Sequence, residues 1–511
     1  MLASILSCGI SGIDGYFVTA EINLANGMPM FEIVGLPDAS VKESRERVRA
    51  ALKNSGYNFP NGRITVNLAP ADTKKEGPSY DLPIALAMLA CTGMLDADAL
   101  KDICVFGELS LDGSVRPVNG ALPMVIHARS RGIKAVLIPE DNLAEVKCIE
   151  GIEIYGVGSL IEAARHLRGE EKLPALETSA YTDLLKRREL PVDFAHVKGQ
   201  RSAKRALEIA AAGNHNVLLI GPPGSGKTLM ARCMPTILPD MCFEEALEST
   251  RIHSVAGITP PSGLLTERPF RSPHHTASHA SLIGGGTKAM PGEISKAHNG
   301  VLFLDELPEY RRDVLEALRQ PLEDGFVTIA RVSATATYPA NFILICSMNP
   351  CPCGNLGSRV RACRCTSADI RRYLNRISGP LLDRIDMHIE VESIPAERLA
   401  SEIPEENSQS IRQRVEKARE IQRKRYENDP AKIYSNAQLN ARNLNAACRA
   451  SDEAQQLLLM SCEKLKLSNR AYTRILKVAR TIADLEGAEE IQASHISEAV
   501  QYRTLDRKYW G

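Results

Sequence analysis

The residues best equipped for chemistry stand in one run, Gly221-Pro222-Pro223-Gly224-Ser225-Gly226-Lys227-Thr228, a full match to the phosphate-cradling pattern G-x-x-x-x-G-K-[ST]. Glycines at 221, 224 and 226 let backbone N–H groups approach phosphate oxygens, and the helix that follows turns the positive end of its dipole toward the anion. Lys227 is placed to reach the β- and γ-phosphates, and Thr228 to offer its hydroxyl to Mg2+. Both flanks agree with this chemistry: Val217 to Ile220 reads as a buried parallel strand, and the residues from Thr228 open a helix.

Downstream, a four-residue apolar strand runs into Asp305 and Glu306. A carboxylate pair at a strand end means little alone, but at this distance after a phosphate loop Asp305 is expected to hold Mg2+ through its waters. Glu306 is expected to polarise the attacking water. The next strand, 341–349, ends in Asn349, which either orients that water or caps the turn before Pro350. Arg384, in the run Leu381-Leu382-Asp383-Arg384-Ile385-Asp386, is either a catalytic cation or half of a surface ion pair. Arg470 and Arg474 lie one helical turn apart behind a Ser468 cap and suit contact with a γ-phosphate, Arg470 the better.

Four of the thirteen cysteines fall in one stretch as two C-x-C pairs, Cys351, Cys353, Cys363 and Cys365. They supply what a closed tetrahedral zinc site needs, with four reduced thiols the equal alternative and a disulfide pair behind both. The other nine are scattered singly, as in reduced intracellular proteins. His274 and His275 have no acidic or cysteine partner at ligand spacing and read as structural or phosphate-facing.

These residues need a scaffold. Residues 10–167 mix alternating strands with apolar helices, an α+β module. Residues 168–190, charged and aperiodic, read as a linker. About 70 residues separate the phosphate loop from Asp305, more than a strand–helix–strand unit needs. The excess includes Arg268 to Thr276 and the cationic glycine loop Leu282 to Lys288, which either follows a phosphate backbone or is an ordinary surface loop. Residues 325–338 read as a β-hairpin with Arg331 near its tip. Beyond Val391 the pattern is helical, with 411–425 carrying seven basic and two acidic residues, either a nucleic-acid face or, the reading slightly favoured, a solvated one.

Lys+Arg and Asp+Glu both total 62 in 511 residues, so no global basic charge points to nucleic acid and any such contact is local. The longest apolar run, 82–95, is too short to span a bilayer, and the N-terminus lacks a signal-peptide pattern. A cytoplasmic protein without membrane contact is expected.

Residues 74–139, with KKEGPSYDLPIALAML, FGELSLDGSVRPVNG and RGIKAVLIP, resemble the peptidase domain of Lon-type proteases. That resemblance makes Ser79 the nucleophile, but Leu122 stands where the activating lysine belongs, and leucine accepts no proton. The reading favoured is an inactive scaffold in which Ser79 caps the helix beginning near Asp81.

Residues 191–391 resemble an AAA+ ATPase core. The resemblance makes Asp305-Glu306 the Walker B pair, Asn349 sensor 1, Arg384 an arginine finger for a neighbouring subunit and Arg470 sensor 2. The hairpin before sensor 1 resembles the branch holding the magnesium chelatase motor and the MCM helicases. The whole chain resembles magnesium-chelatase-like AAA+ proteins of the YifB/ComM type. The implied fold is α/β: residues 1–170 a Lon-like domain (ribosomal S5 domain 2-like), 171–190 a linker, 191–391 the P-loop core and 392–511 a helical lid. The implied function is that of a hexameric helicase using ATP and Mg2+ on branched DNA in natural transformation. A chelatase-type motor acting on a protein partner and an ATP-dependent protease are the alternatives.

Overall fold

The computed structural model describes residues 1–185, 192–286, 289–330, 335–357, 361–393, 405–427, 429, 433–465 and 467–510. Arg331, Thr287 and Lys288 lie outside the described residues.

The N-terminal part is built on a seven-stranded sheet whose first strands alternate buried and exposed residues, as one-sided burial demands. Its strands are β1 (Leu2–Ser11), β2 (Asp14–Ala25), β3 (Met30–Val34), β4 (Arg63–Ala69), β5 (Ile103–Val105), β6 (Ala135–Pro139) and β7 (Glu153–Val157). Their spatial order is β3-β4-β2-β1-β5-β6-β7, with β1, β2 and β4 antiparallel and the β1-β5-β6-β7 half parallel. Three helices pack on this sheet: α1 (Ala39–Asn54), α2 (Asp81–Cys91) and α3 (Ala121–Ser130). Asp38 starts α1 by accepting the Val41 N–H at 2.8 Å, a standard N-cap. α2 is almost wholly buried and α3 buries Leu122 at its first turn. A short helix, α4 (Leu160–Arg168), closes the domain on Gly169 in the left-handed region.

The segment expected as a linker runs along this domain before it turns to the next. Leu176 N–H donates to Ile154 O at 2.8 Å, and Tyr181 Oη donates to Met241 O at 2.7 Å.

The second part has the five-stranded parallel sheet that buried four-residue apolar runs predict. Its strands are β8 (Val217–Ile220), β9 (Phe270–Arg271), β10 (Val301–Leu304), β13 (Ile343–Met348) and β14 (Met387–Glu390), in the order β9-β10-β13-β8-β14. The expected hairpin is present as β11 (Phe326–Ala330) against β12 (Thr335–Pro339). Helices α5 (Arg201–Gly213), α6 (Lys227–Ile237) and α7 (Phe243–Val255) connect or flank these strands. The two parts meet along α7: Gly120 N–H donates to Ser254 O at 3.0 Å and Arg251 Nη2 to Ile13 O at 2.9 Å.

The C-terminal helices α8 (Ser408–Tyr426), α9 (Asp452–Leu465), α10 (Asn469–Glu486) and α11 (Ala493–Gln501) share one hydrophobic core with α5 and α6. α10 packs on α5, and His215 Nε2 and Thr481 Oγ1 sit 2.7 Å apart where the two meet. The basic stretch in α8 is tied down by its neighbours: Arg414 pairs with Glu208 and Glu406, Arg425 with Asp484, and Arg419 donates to Ala211 O.

Candidate nucleotide site

The phosphate loop leaves β8 and turns into α6 with Gly226 as the N-cap, at φ +90°. Gly224 has φ +76° and open space around it, so glycine is required there by backbone conformation rather than packing. Lys227 folds back over the loop, donating to Gly221 O at 2.7 Å and Pro222 O at 2.9 Å, with Asn349 Oδ1 at 3.4 Å. Burial pulls its pKa down to about 8, against the opposing pull of Asp305 and Glu306.

Thr228 Oγ1 donates to Asp305 Oδ2 at 2.9 Å, so the two groups assigned to Mg2+ already converge. A hydroxyl and a carboxylate suit this hard cation, which keeps most of its waters and takes few protein oxygens. Ser347 Oγ, on the strand that ends in Asn349, bonds to the other oxygen of Asp305. Glu306 follows in the left-handed region, φ +54°, its N–H donating to Asp305 Oδ1 at 3.1 Å. Such a φ is uncommon for a non-glycine residue, and it turns the carboxylate out of the strand, where its side chain is 57% exposed.

Sequence reasoning missed the group that faces Glu306. His275 Nδ1 lies 3.6 Å from Glu306 Oε2. The pairing follows from register: Phe270 and Arg271 lie opposite Val301 and Leu302, and continuing four residues along both chains brings 275 opposite 306. Tyr310 Oη holds the segment by donating to Pro273 O at 2.6 Å.

Arg384 and Arg470 stand elsewhere. Arg384 is buried, donates to Pro380 O at 2.8 Å and pairs with Glu323. Arg470 Nη2 is 3.8 Å from the other oxygen of the same glutamate. Both line a cavity of about 610 Å³ with Asn214, Asn216 and Lys477, and no residue of the phosphate loop lines it. Asn214 and Asn216 precede β8, whereas the phosphate loop follows it, so this cavity lies a strand's length, roughly 13 Å, from the loop. Arg470 thus stands beside Arg384 and Glu323, away from Lys227 of its own chain. The lid docks through α10 on α5, which carries Arg470 to the end of β8 opposite the phosphate loop. Arg474 is committed to structure: it pairs with Asp386, which also accepts the Asn216 N–H at 2.8 Å. Burial alone would raise the Asp386 pKa, but Arg474, His215 and that N–H hold it well below the usual carboxylate range.

In the N-terminal part, Ser79 lines a cavity with Glu76, Glu108, Asn119 and, from the second part, Tyr338. Leu122 is fully buried among Phe106, Val125 and Ile138. The expectation that Ser79 caps α2 is corrected: the helix does begin at Asp81, but its N-cap is Tyr80 and no side chain caps it.

Comparison with known proteins agrees with this architecture. The family model described as "Magnesium chelatase, subunit ChlI" matches residues 193–399, "Subunit ChlI of Mg-chelatase" matches 20–142, and "Magnesium chelatase, subunit ChlI C-terminal" matches 405–503. The competence protein ComM of Haemophilus influenzae is 43% identical over 99% of this chain and 98% of its own length. The YifB protein of Escherichia coli is 44% identical over 97% of this chain and 96% of its own. A Lon protease of Lachnoclostridium phytofermentans is 29% identical over 31% of this chain and 21% of its own. The fold and site define an α/β protein with a Lon-like N-terminal domain and a nucleotide-binding AAA+ core. The chain belongs to the magnesium-chelatase-like family of ComM/YifB type.

Proposed function

We propose that this chain is an ATP-driven, ring-forming DNA translocase that acts as a helicase on branched DNA in recombination, including natural transformation. ATP and Mg2+ are its working cofactors, and a structural zinc ion sits in the cysteine cluster. The observation that carries the reading is the split of the charged groups. Lys227, Thr228, Asp305 and Asn349 converge at one end of β8, while Arg384 and Arg470 share Glu323 at the other.

In this reading neither arginine serves the nucleotide of its own chain. Each is offered to a neighbouring copy, Arg384 as finger and Arg470 as sensor 2. Such copies close a ring, for which a hexamer is the proposed size. Catalysis then proceeds by positioning and charge: Lys227 and the loop N–H groups hold the phosphates. Thr228 and Asp305 hold the metal with its waters, Glu306 takes the proton of the attacking water, and the neighbour's arginines balance charge that develops in the transition state. Support for DNA comes from the relative named a competence protein and from hairpin β11–β12 in front of sensor 1, in the position that lines the pore in the resembling helicases. A peptidase is disfavoured because Leu122, which accepts no proton, is buried where the activating lysine of the resembling proteases belongs.

Strand displacement on forked and four-way DNA tests the reading, with and without ATP, for the wild type and Lys227→Ala. ATP-dependent displacement lost in the variant is expected. ATP turnover that no DNA stimulates, but that a protein partner does, would instead favour a chelatase-type motor.

A further inference from the structure

The four clustered thiols have a geometry that discriminates among their possible states. Cys351 Sγ lies 3.4 Å from Cys353 Sγ and 3.6 Å from Cys363 Sγ, Cys353 and Cys363 are 3.6 Å apart, and all four sulfurs including Cys365 fall within 4.8 Å of one another. A tetrahedral Zn2+ with bonds of about 2.3 Å sets its sulfurs about 3.8 Å apart. A disulfide needs about 2 Å. The array therefore has the spacing of a tetrathiolate shell. It stands within 4.8 Å only because two C-x-C turns face each other, which four unrelated free thiols have no reason to do.

Its location gives it a further task. Cys351 is buried and follows Asn349 by two residues, and Asn349 is the group 3.4 Å from Lys227 Nζ. The turn between the first two thiols closes with Gly354 N–H donating to Cys351 O at 2.9 Å. Gly354 has φ +77°, and a side-chain carbon there would come within 2.6 Å of Pro223 Cδ of the phosphate loop and 3.8 Å of Asn349 Cγ. The metal-holding turn thus packs directly on the loop that grips phosphate and on the amide that faces it.

Resting on the zinc and ATPase readings above, we propose that the tetrathiolate zinc site is a brace for catalysis. By holding the turn 351–354 against Pro223, it fixes Asn349 and the phosphate loop in register with each other. Zinc removal then impairs turnover more than nucleotide binding, because Lys227 and the loop N–H groups remain on the chain while the sensor amide loses its fixed position.

The test begins with the zinc content of the purified full chain, by elemental analysis and by release to a chromogenic chelator. One zinc per chain is expected, and its absence would sink the zinc reading itself. Wild-type ATPase activity is measured next, and its absence would sink the ATPase reading rather than the brace. The native protein is then stripped by chelator and resupplied with Zn2+ alone at constant Mg2+. At least a tenfold fall in kcat is expected, with the affinity for a fluorescent ATP analogue changed less than threefold and kcat restored by zinc. A stripped protein with unchanged kcat would overturn the brace. Gly354→Ala supplies a variant that keeps all four thiols: it is expected to retain zinc while losing turnover. Zinc retained with wild-type turnover in that variant would overturn the proposal independently.

Discussion

His275 Nδ1 faces Glu306 Oε2 at 3.6 Å across the extension of β9 beside β10. That approach makes His275 a candidate for positioning the exposed Glu306 carboxylate. His275→Ala is expected to lower kcat about tenfold with KM for ATP little changed, an amount typical of lost orientation. His275→Asn, whose amide N–H falls near the place of Nδ1, is expected to recover most of it. Equal kcat in all three proteins would show that the contact does nothing.

Arg384→Ala and Arg470→Ala are each expected to bind ATP almost normally yet hydrolyse it slowly, Arg384→Ala by about 10³-fold or more. Mixed with Lys227→Ala protein, which keeps both arginines, each should regain part of its activity at hybrid interfaces. Turnover measured across mixing ratios decides this. A wild-type rate for Arg384→Ala alone, or no recovery at any ratio, would contradict assistance between chains.

The neighbouring arginines should part company in stability. Arg474→Ala leaves the buried Asp386 carboxylate without its main cation, a loss of about 3 kcal/mol, whereas Arg470, whose side chain is 56% exposed, is expected to change thermal stability very little. Because the Asp386 pKa is depressed, its stabilisation is present above the ordinary carboxylate pKa and is lost as pH falls through the folded value. The gap between wild type and Arg474→Ala should therefore narrow in acid. Thermal melts at neutral and acidic pH read both effects.

Lys227 gives a pH signature on binding. With its free-state pKa pulled down to about 8, the ammonium that phosphate requires is present below that pH and lost above it. Bound phosphate favours the charged form, so ATP affinity is expected to fall by up to about tenfold per pH unit above 8. A titration series from pH 7 to 9.5 checks this, and Lys227→Arg should give a flat profile. A flat profile in the wild type would remove the burial argument.

Ser79→Ala is expected to leave ATP turnover and DNA unwinding unchanged, and neither protein is expected to cleave casein. Serine-dependent cleavage by the wild type would reinstate a peptidase.

What could be read from sequence alone was whatever depends on near neighbours along the chain. The phosphate loop, the strand ending at Asp305 and Glu306, the hairpin and the sheet class follow from spacing, apolar runs and glycine placement. His275 was missed because its meeting with Glu306 needs the β9–β10 register, which pairs segments 31 residues apart. Where Arg470 stands is equally hidden from sequence, since no local pattern reveals which face of the core α10 docks on. The basic character of α8 was legible but its partners were not, since Glu208 and Asp484 are close only in the fold. Ser79 has the right residue type for a cap, yet the chain enters α2 through Tyr80.

The shared grip of Arg384 and Arg470 on Glu323 also bears on heredity. If those arginines serve the next copy, the unit of activity is a junction between two chains, and a faulty allele disables junctions rather than individual chains. In a cell expressing intact and doubly defective copies at random, the share of working junctions falls as the square of the intact fraction. Such an allele would behave as partially dominant, harming more than its share of the protein.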